Sequence, residues 1–216
     1  MKTGIKSQSY SRMWLAVMCT LVLVAATACG PTKEDKAKYH SEIKVIVDKA
    51  ERNAEFVSKL MKADSSQNES TQAQIETFKS GIVTLEKYDA DLKSAKAELA
   101  KVAAPKFEEY NLKASTDKYF DAQIKGVGET KVIFQELQSA MQLLADIEKE
   151  TEENGEASEE KKAKLMKQLE SINAVKQKLQ DIETAMHNAK NEVLTNEEKF
   201  ILQNSLTVTK FVFSNL

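Results

Sequence analysis

Glu183 and His187 stand four residues apart near the end of a 216-residue chain. On a helix that spacing puts both on one face, close enough to touch a single metal ion. Their neighbours argue for a plainer role. Ile182 and Met186 precede them in an apolar stripe, so the pair borders a core and faces solvent, where an ordinary hydrogen bond or ion pair is expected. The other histidine, His40, extends the stripe of an earlier helix and is expected to be partly buried at the helix end rather than a ligand. His-Glu-x-x-His and Glu-x-x-His spacings do not occur. Asp89-x-Asp91 could open a calcium loop, but Lys93 takes the next oxygen position, the sixth-position glycine is missing, and the segment reads as continuous helix. There is no Gly-x-Ser-x-Gly elbow and no Walker-type loop. No catalytic, cofactor or metal residue is assigned, and the chain is expected to be non-enzymatic.

The remaining reactive side chains are Cys19 and Cys29, both close to the start. Residues 1–12 carry Lys2, Lys6 and Arg12 with no acid, and an uncharged apolar run follows from Met13 to Ala28. That run is 16 residues, shorter than the ~20 a permanent helical span needs. It ends in the small residues Ala25, Ala26, Thr27 and Ala28. Charged start, apolar middle and small-residue end predict a secretory signal peptide.

The segment Ala26-Thr27-Ala28-Cys29 resembles the lipobox of bacterial lipoproteins, with Ala26 where Leu is commoner. The resemblance covers only the first 30 residues. It implies cleavage between Ala28 and Cys29, a diacylglyceryl thioether on Cys29 and acylation, palmitate included, of its new amino group. Cys19 follows the bulky Met18 in mid-run and is a poor rival. One acyl chain holds a protein only marginally, whereas two or three hold it firmly. Gly30 follows the cysteine; by the same resemblance, a residue other than Asp there permits transfer to the outer membrane of a double-membrane cell. In a single-membrane cell the protein would sit on the outer leaflet of the cell membrane.

The expected organisation is therefore a cleaved signal at 1–28, a lipidated tether at 29–34 and one domain at 35–216. Three of the 31 basic residues and none of the 33 acidic ones lie in the signal, leaving the rest a net charge of −5. Mild acidity argues against nucleic acid as a partner. With both cysteines at or before the lipidation site, the exported domain relies on its core alone.

Six Gly and two Pro are little turn chemistry for this length, and a composition rich in Ala, Lys, Glu and Leu favours long helices. Apolar residues at steps of three and four mark four of them. The first opens at the capping-box spacing Thr32–Asp35 and carries Ile43, Val47, Ala50 and Ala54; a polar turn at 64–68 follows. The second starts near Thr71 and the third at Pro105, running to about Gly155 with Gly126 and Gly128 inside it, where they mark a bend or close packing, the favoured readings, or simple tolerance of glycine. The fourth spans Leu165 to Val193 with an average spacing of 3.5, and its stripe is expected to be core. Thr195-Asn196-Glu197-Glu198 forms a second capping box and predicts a shorter C-terminal helix docked on the rest, although Thr207-Val208-Thr209 and Phe211-Val212-Phe213 have strand propensity and leave the last ten residues open between helix and strand.

The expected fold is all-α, an elongated up-and-down bundle of four long helices plus that shorter one. About five residues join Cys29 to the first helix, at most ~17 Å, so the bundle should stand on the bilayer. The expected role is an envelope interaction or structural module with a possible protein partner. The alternative is a carrier or sensor holding an apolar ligand or a metal between helices.

Overall fold

A computed structural model describes residues 30–62, 70–105 and 110–213, with the backbone alone for 53 and 55–62. The expected signal peptide and lipobox, the expected turn at 64–68 and the last three residues lie outside the described residues. The described residues form four helices: α1 (Lys33–Lys62), α2 (Thr71–Lys101), α3 (Leu112–Asn154) and α4 (Glu159–Gln203). Among the described residues there is no strand, and no helix is long and apolar enough to cross a membrane. The all-helical class expected from composition and periodicity therefore holds.

The helix starts follow local chemistry. The amide of Asp35 donates to Thr32 Oγ1 over 3.1 Å and the amide of Thr32 donates back to the Asp35 carboxylate over 2.9 Å, the reciprocal bonding of a capping box. Ser70 and Ser158 accept from the amides of Ala73 and Lys161, capping α2 and α4. Gly155, at φ 78°, closes α3 in the left-handed conformation that glycine adopts most readily, its amide donating to Thr151 O.

Two boundaries differ from expectation. α3 begins at Leu112, not at Pro105. Asn111 adopts a left-handed backbone, φ 48°, which interrupts helical geometry before Leu112. Lys113 Nζ reaches back to the carbonyl of Ala100 at the end of α2, where a cation suits the carbonyl-rich terminus. The second capping box is not used, and the shorter C-terminal helix is not a separate element: α4 runs unbroken through Thr195 to Gln203. Val193, Glu197 and Phe200, at helical spacing, are all buried, so continuing the helix keeps one face in the core. α4 then ends with Ser205 at φ 48° and the Leu206 amide bonded to Ile201 O, a Schellman closure. Residues 206–213 follow as an irregular segment, neither helix nor strand.

The core lies where all four helices meet. Ile43 and Val47 of α1, Leu92 and Leu99 of α2, Leu112 and Phe120 of α3, and Val193 of α4 are each at 0 % exposure. Leu206 and Phe211 complete it from the C-terminal segment. Neighbouring helices are pinned by ion pairs in which a rising number on one meets a falling number on the next. Glu86 meets Lys131 and Lys96 meets Asp121 between α2 and α3. Lys118 meets Glu192 and Glu150 meets Lys161 between α3 and α4.

Burial thins away from this region. The residues of α4 that are fully buried are Ile182, Val193, Glu197 and Phe200. The stripe expected to be core is thus core only in its C-terminal part: Leu165, Ile172 and Val175 are half-buried, Leu169 is 42 % exposed and Met166 beside it 61 %. The two long helices outrun α1, and nothing described covers this face of their far ends.

Candidate functional site: buried polar groups and the cavity beside them

The residues singled out for chemistry separate. Glu183 and His187 both lie exposed on α4. Asp89 is engaged by Lys93 one turn on, at 2.6 Å, within α2. Among the described residues no group of three or more His, Cys, Asp or Glu is placed to hold a metal. Ala28 and Cys29, the expected cleavage and lipidation residues, fall outside the described residues.

His40 is more deeply buried than its position suggested, at 1 % exposure, and is hydrogen-bonded. Its Nε2 donates to Glu197 Oε1 over 2.8 Å, and the amide of Phe211 donates to the same oxygen over 2.7 Å. The imidazole stacks on the Phe211 ring with centroids 5.0 Å apart. One carboxylate thus ties α1, α4 and the C-terminal segment together. Phe213 extends the attachment, edge-on to Tyr119 at 5.1 Å and beneath the ammonium of Lys190.

A second buried polar group joins α1 to α3. Tyr119 Oη donates to Glu51 Oε1 over 2.7 Å, and Gln123 Nε2 donates to Tyr119 Oη and to the same carboxylate oxygen, over 2.6 and 3.2 Å. Burial, reinforced by the Glu51 charge, holds the Tyr119 phenol far above its ordinary pKa. Tyr88 on α2 is shifted the same way for the same reasons. Tyr88 is 3 % exposed, yet its hydroxyl has no hydrogen-bond partner, and neither has the carbonyl oxygen Gln123 Oε1.

Both residues line a partly open cavity of about 210 Å³ between α2, α3 and α4. Leu85, Val127, Leu179, Ile182 and Met186 form its apolar wall. Met186 of α4 packs on Gly126 there: a Cβ on the glycine would stand 2.7 Å from Met186 Sδ. Gly128 has open space where its Cβ would be. Of the outcomes expected for this pair, close packing belongs to Gly126 and simple tolerance to Gly128, and α3 is a single helix through both.

Sequence reasoning missed Glu51, Gln123 and Glu197. Each stands at an apolar position of a helical stripe, four residues after Val47, three after Phe120 and four after Val193. A polar side chain in that register was the available signal. No protein-family model, curated protein or solved structure matches the chain.

Proposed function

We propose that this chain is an extracytoplasmic bacterial lipoprotein, held to a bilayer by acylated Cys29, whose helices form an up-and-down bundle acting as a non-enzymatic interaction module. The observation that carries the reading is the uncovered apolar run on α4, where Met166 and Leu169 stay exposed beside half-buried Leu165 and Ile172. A helix face with this spacing is complete only when another helix lies on it. Opposed numbering in the interhelical ion pairs supports the up-and-down arrangement. Both buried polar groups are engaged in fastening helices to one another, which supports a structural rather than catalytic use of the ionisable core residues. α1 starts at Lys33, so Gly30, Pro31 and Thr32 alone separate it from Cys29 and the bundle would stand against the headgroups, at the surface of the outer or the cell membrane.

Photocrosslinking in intact cells tests the module. A crosslinking residue at Leu169 should capture a defined envelope protein that the same residue at exposed Ala97 on α2 does not, and Leu169→Glu should weaken that protein's co-purification. Equal capture at both sites would remove the α4 face from consideration. For the anchor, Cys29→Ser should abolish lipid labelling; unchanged labelling and mobility would overturn it.

A further inference from the structure

The segment after α4 is seated like a ligand on the rest of the chain. Phe211 is 5 % exposed, its amide donating to Glu197 Oε1 and its ring stacked on His40. Lys210 reaches Glu198 at 3.3 Å, and Phe213 stands edge-on to Tyr119 and beneath Lys190. Residues 206–213 form neither helix nor strand, so their place is fixed by these contacts with α1, α3 and α4. Emptied, the groove would cost Glu197 a buried hydrogen bond and His40 its ring partner, so the folded chain keeps it filled.

The turn that leads into the groove is the weak point of the arrangement. Ser205 adopts φ 48°, just past a helix end where glycine is usual, because an L side chain crowds its own backbone in the left-handed region. α3 ends with Gly155 in that role, whereas α4 ends with a serine. Strain at the turn and close contacts beyond it are the conditions under which a segment exchanges between copies. The contacts are rebuilt unchanged on the second copy and the strained turn is released. Reach allows it as well. Residues 206–211 can span about 20 Å, nearly twice the ~10–12 Å diameter of a helix with its side chains. The segment can therefore pass from its own α4 to the groove of a copy lying alongside.

We propose that this groove docks the C-terminal segment of a second copy of the chain. Two chains exchange residues 206–213 reciprocally, and Phe211 and Phe213 of each complete the His40–Glu197 and Tyr119 sites of the other. The exchange leaves the α4 face at Met166 and Leu169 untouched, and it depends neither on that face having a partner nor on the lipid anchor.

The test starts at Ser205 in the full chain. Proline cannot take φ 48° and lacks the amide that Ser205 donates to Leu202 O. Ser205→Pro should sediment as a dimer at concentrations where the parent is mostly monomer, with the Phe211 amide still protected from hydrogen exchange. Ser205→Gly relieves the turn and should weaken dimerisation by about tenfold for each of the two hinges. Lys210→Glu and Glu198→Lys, each combined with Ser205→Pro, then show whether the segment seats in trans. Either change alone sets like charges at the contact, whereas a mixed dimer restores opposite charges at both. Refolding the two variants together should give heterodimer at about threefold or more above the statistical ratio.

A monomeric Ser205→Pro would overturn the proposal. So would a dimer whose Phe211 amide exchanges freely, or a statistical mixture of the charge variants, since either places the interface elsewhere. Should Ser205→Pro fail to fold, the parent and Ser205→Gly decide the matter. Equal dimer dissociation constants for those two, or no dimer of the parent at millimolar concentration, would overturn it as well.

Discussion

His40 Nε2 and Glu197 Oε1 meet at 2.8 Å across 157 residues of chain, and both side chains are 1 % exposed. The contact ties an early turn of α1 to a late turn of α4, and the same oxygen receives the Phe211 amide. Replacing Glu197 with Leu strands two buried donors. At roughly 1–3 kcal/mol for each group left unpaired, Glu197→Leu should lose on the order of 3 kcal/mol in urea unfolding. Hydrogen exchange at the Phe211 amide should accelerate at the same time, because the C-terminal segment loses its hold. Combining it with His40→Phe should recover much of the loss, since apolar replacement of both partners is far less costly than of one. A double variant as unstable as the two losses summed would show that the pair is not coupled.

The glycines of α3 give a paired prediction. Gly128 is exposed with open space around its absent Cβ, so Gly128→Ala should stabilise by about 0.5–1 kcal/mol through helix propensity alone. Gly126→Ala gains the same propensity but drives its Cβ against Met186 Sδ and within 3.4 Å of Ile182 Cγ2. Overpacking of this kind costs roughly 1–3 kcal/mol, so Gly126→Ala should fall below Gly128→Ala by about that amount. Equal stability of the two variants in chemical denaturation would mean that Met186 swings away freely.

What could be read from the sequence, and what could not, divides along physical lines. Local signals worked where one turn of chain decides the outcome: the Thr32–Asp35 box, the stop at Gly155 and the stripe through Ile43, Val47 and Ala50. Thr195–Glu198 carries a pattern like that of Thr32–Asp35 and is ignored, because Val193 and Phe200 gain more by staying on one continuous buried face. Pro105 misled for the opposite reason, since a permitted helix start is not an obligatory one. The cavity was invisible because it depends on how three helices stand together, with Met186 packed on Gly126 sixty residues away in sequence. The buried acids were hidden by a composition in which Glu is common and usually solvated.

Tyr88 and Tyr119 predict an alkaline limit to stability. Burial raises both phenols above their ordinary pKa in the folded chain, while in the unfolded chain they ionise near pH ~10. Below that pH their contribution is fully present. Above it the unfolded state sheds protons that the folded state keeps, so stability falls with rising pH by up to ~1.4 kcal/mol per pH unit for each tyrosine. Phenolate absorbance should show these two tyrosines silent until the protein unfolds, then titrating together with loss of helix. Titration of every tyrosine near pH ~10 with helix intact would contradict the enclosed network.

At the N-terminal end of the described chain, the first turn of α1 should be sensitive to acid in a particular window. The backbone amide of Thr32, then its side chain, bonds the Asp35 carboxylate and holds it below the usual Asp range. A lowered folded-state value means that the stabilisation is present above the unfolded pKa, near ~3.9, and is lost as pH falls through the lower folded value. The Thr32 amide should therefore remain protected from hydrogen exchange at pH values where a free Asp is already half protonated, and lose protection below them. Thr32→Ala should abolish that window and cost about 1 kcal/mol, as loss of an N-cap does, with the added exchange confined to the first turn. Should exchange at that amide instead follow ordinary Asp titration, the reciprocal cap is not formed in solution, and α1 would start in a frayed turn instead of a rigid one.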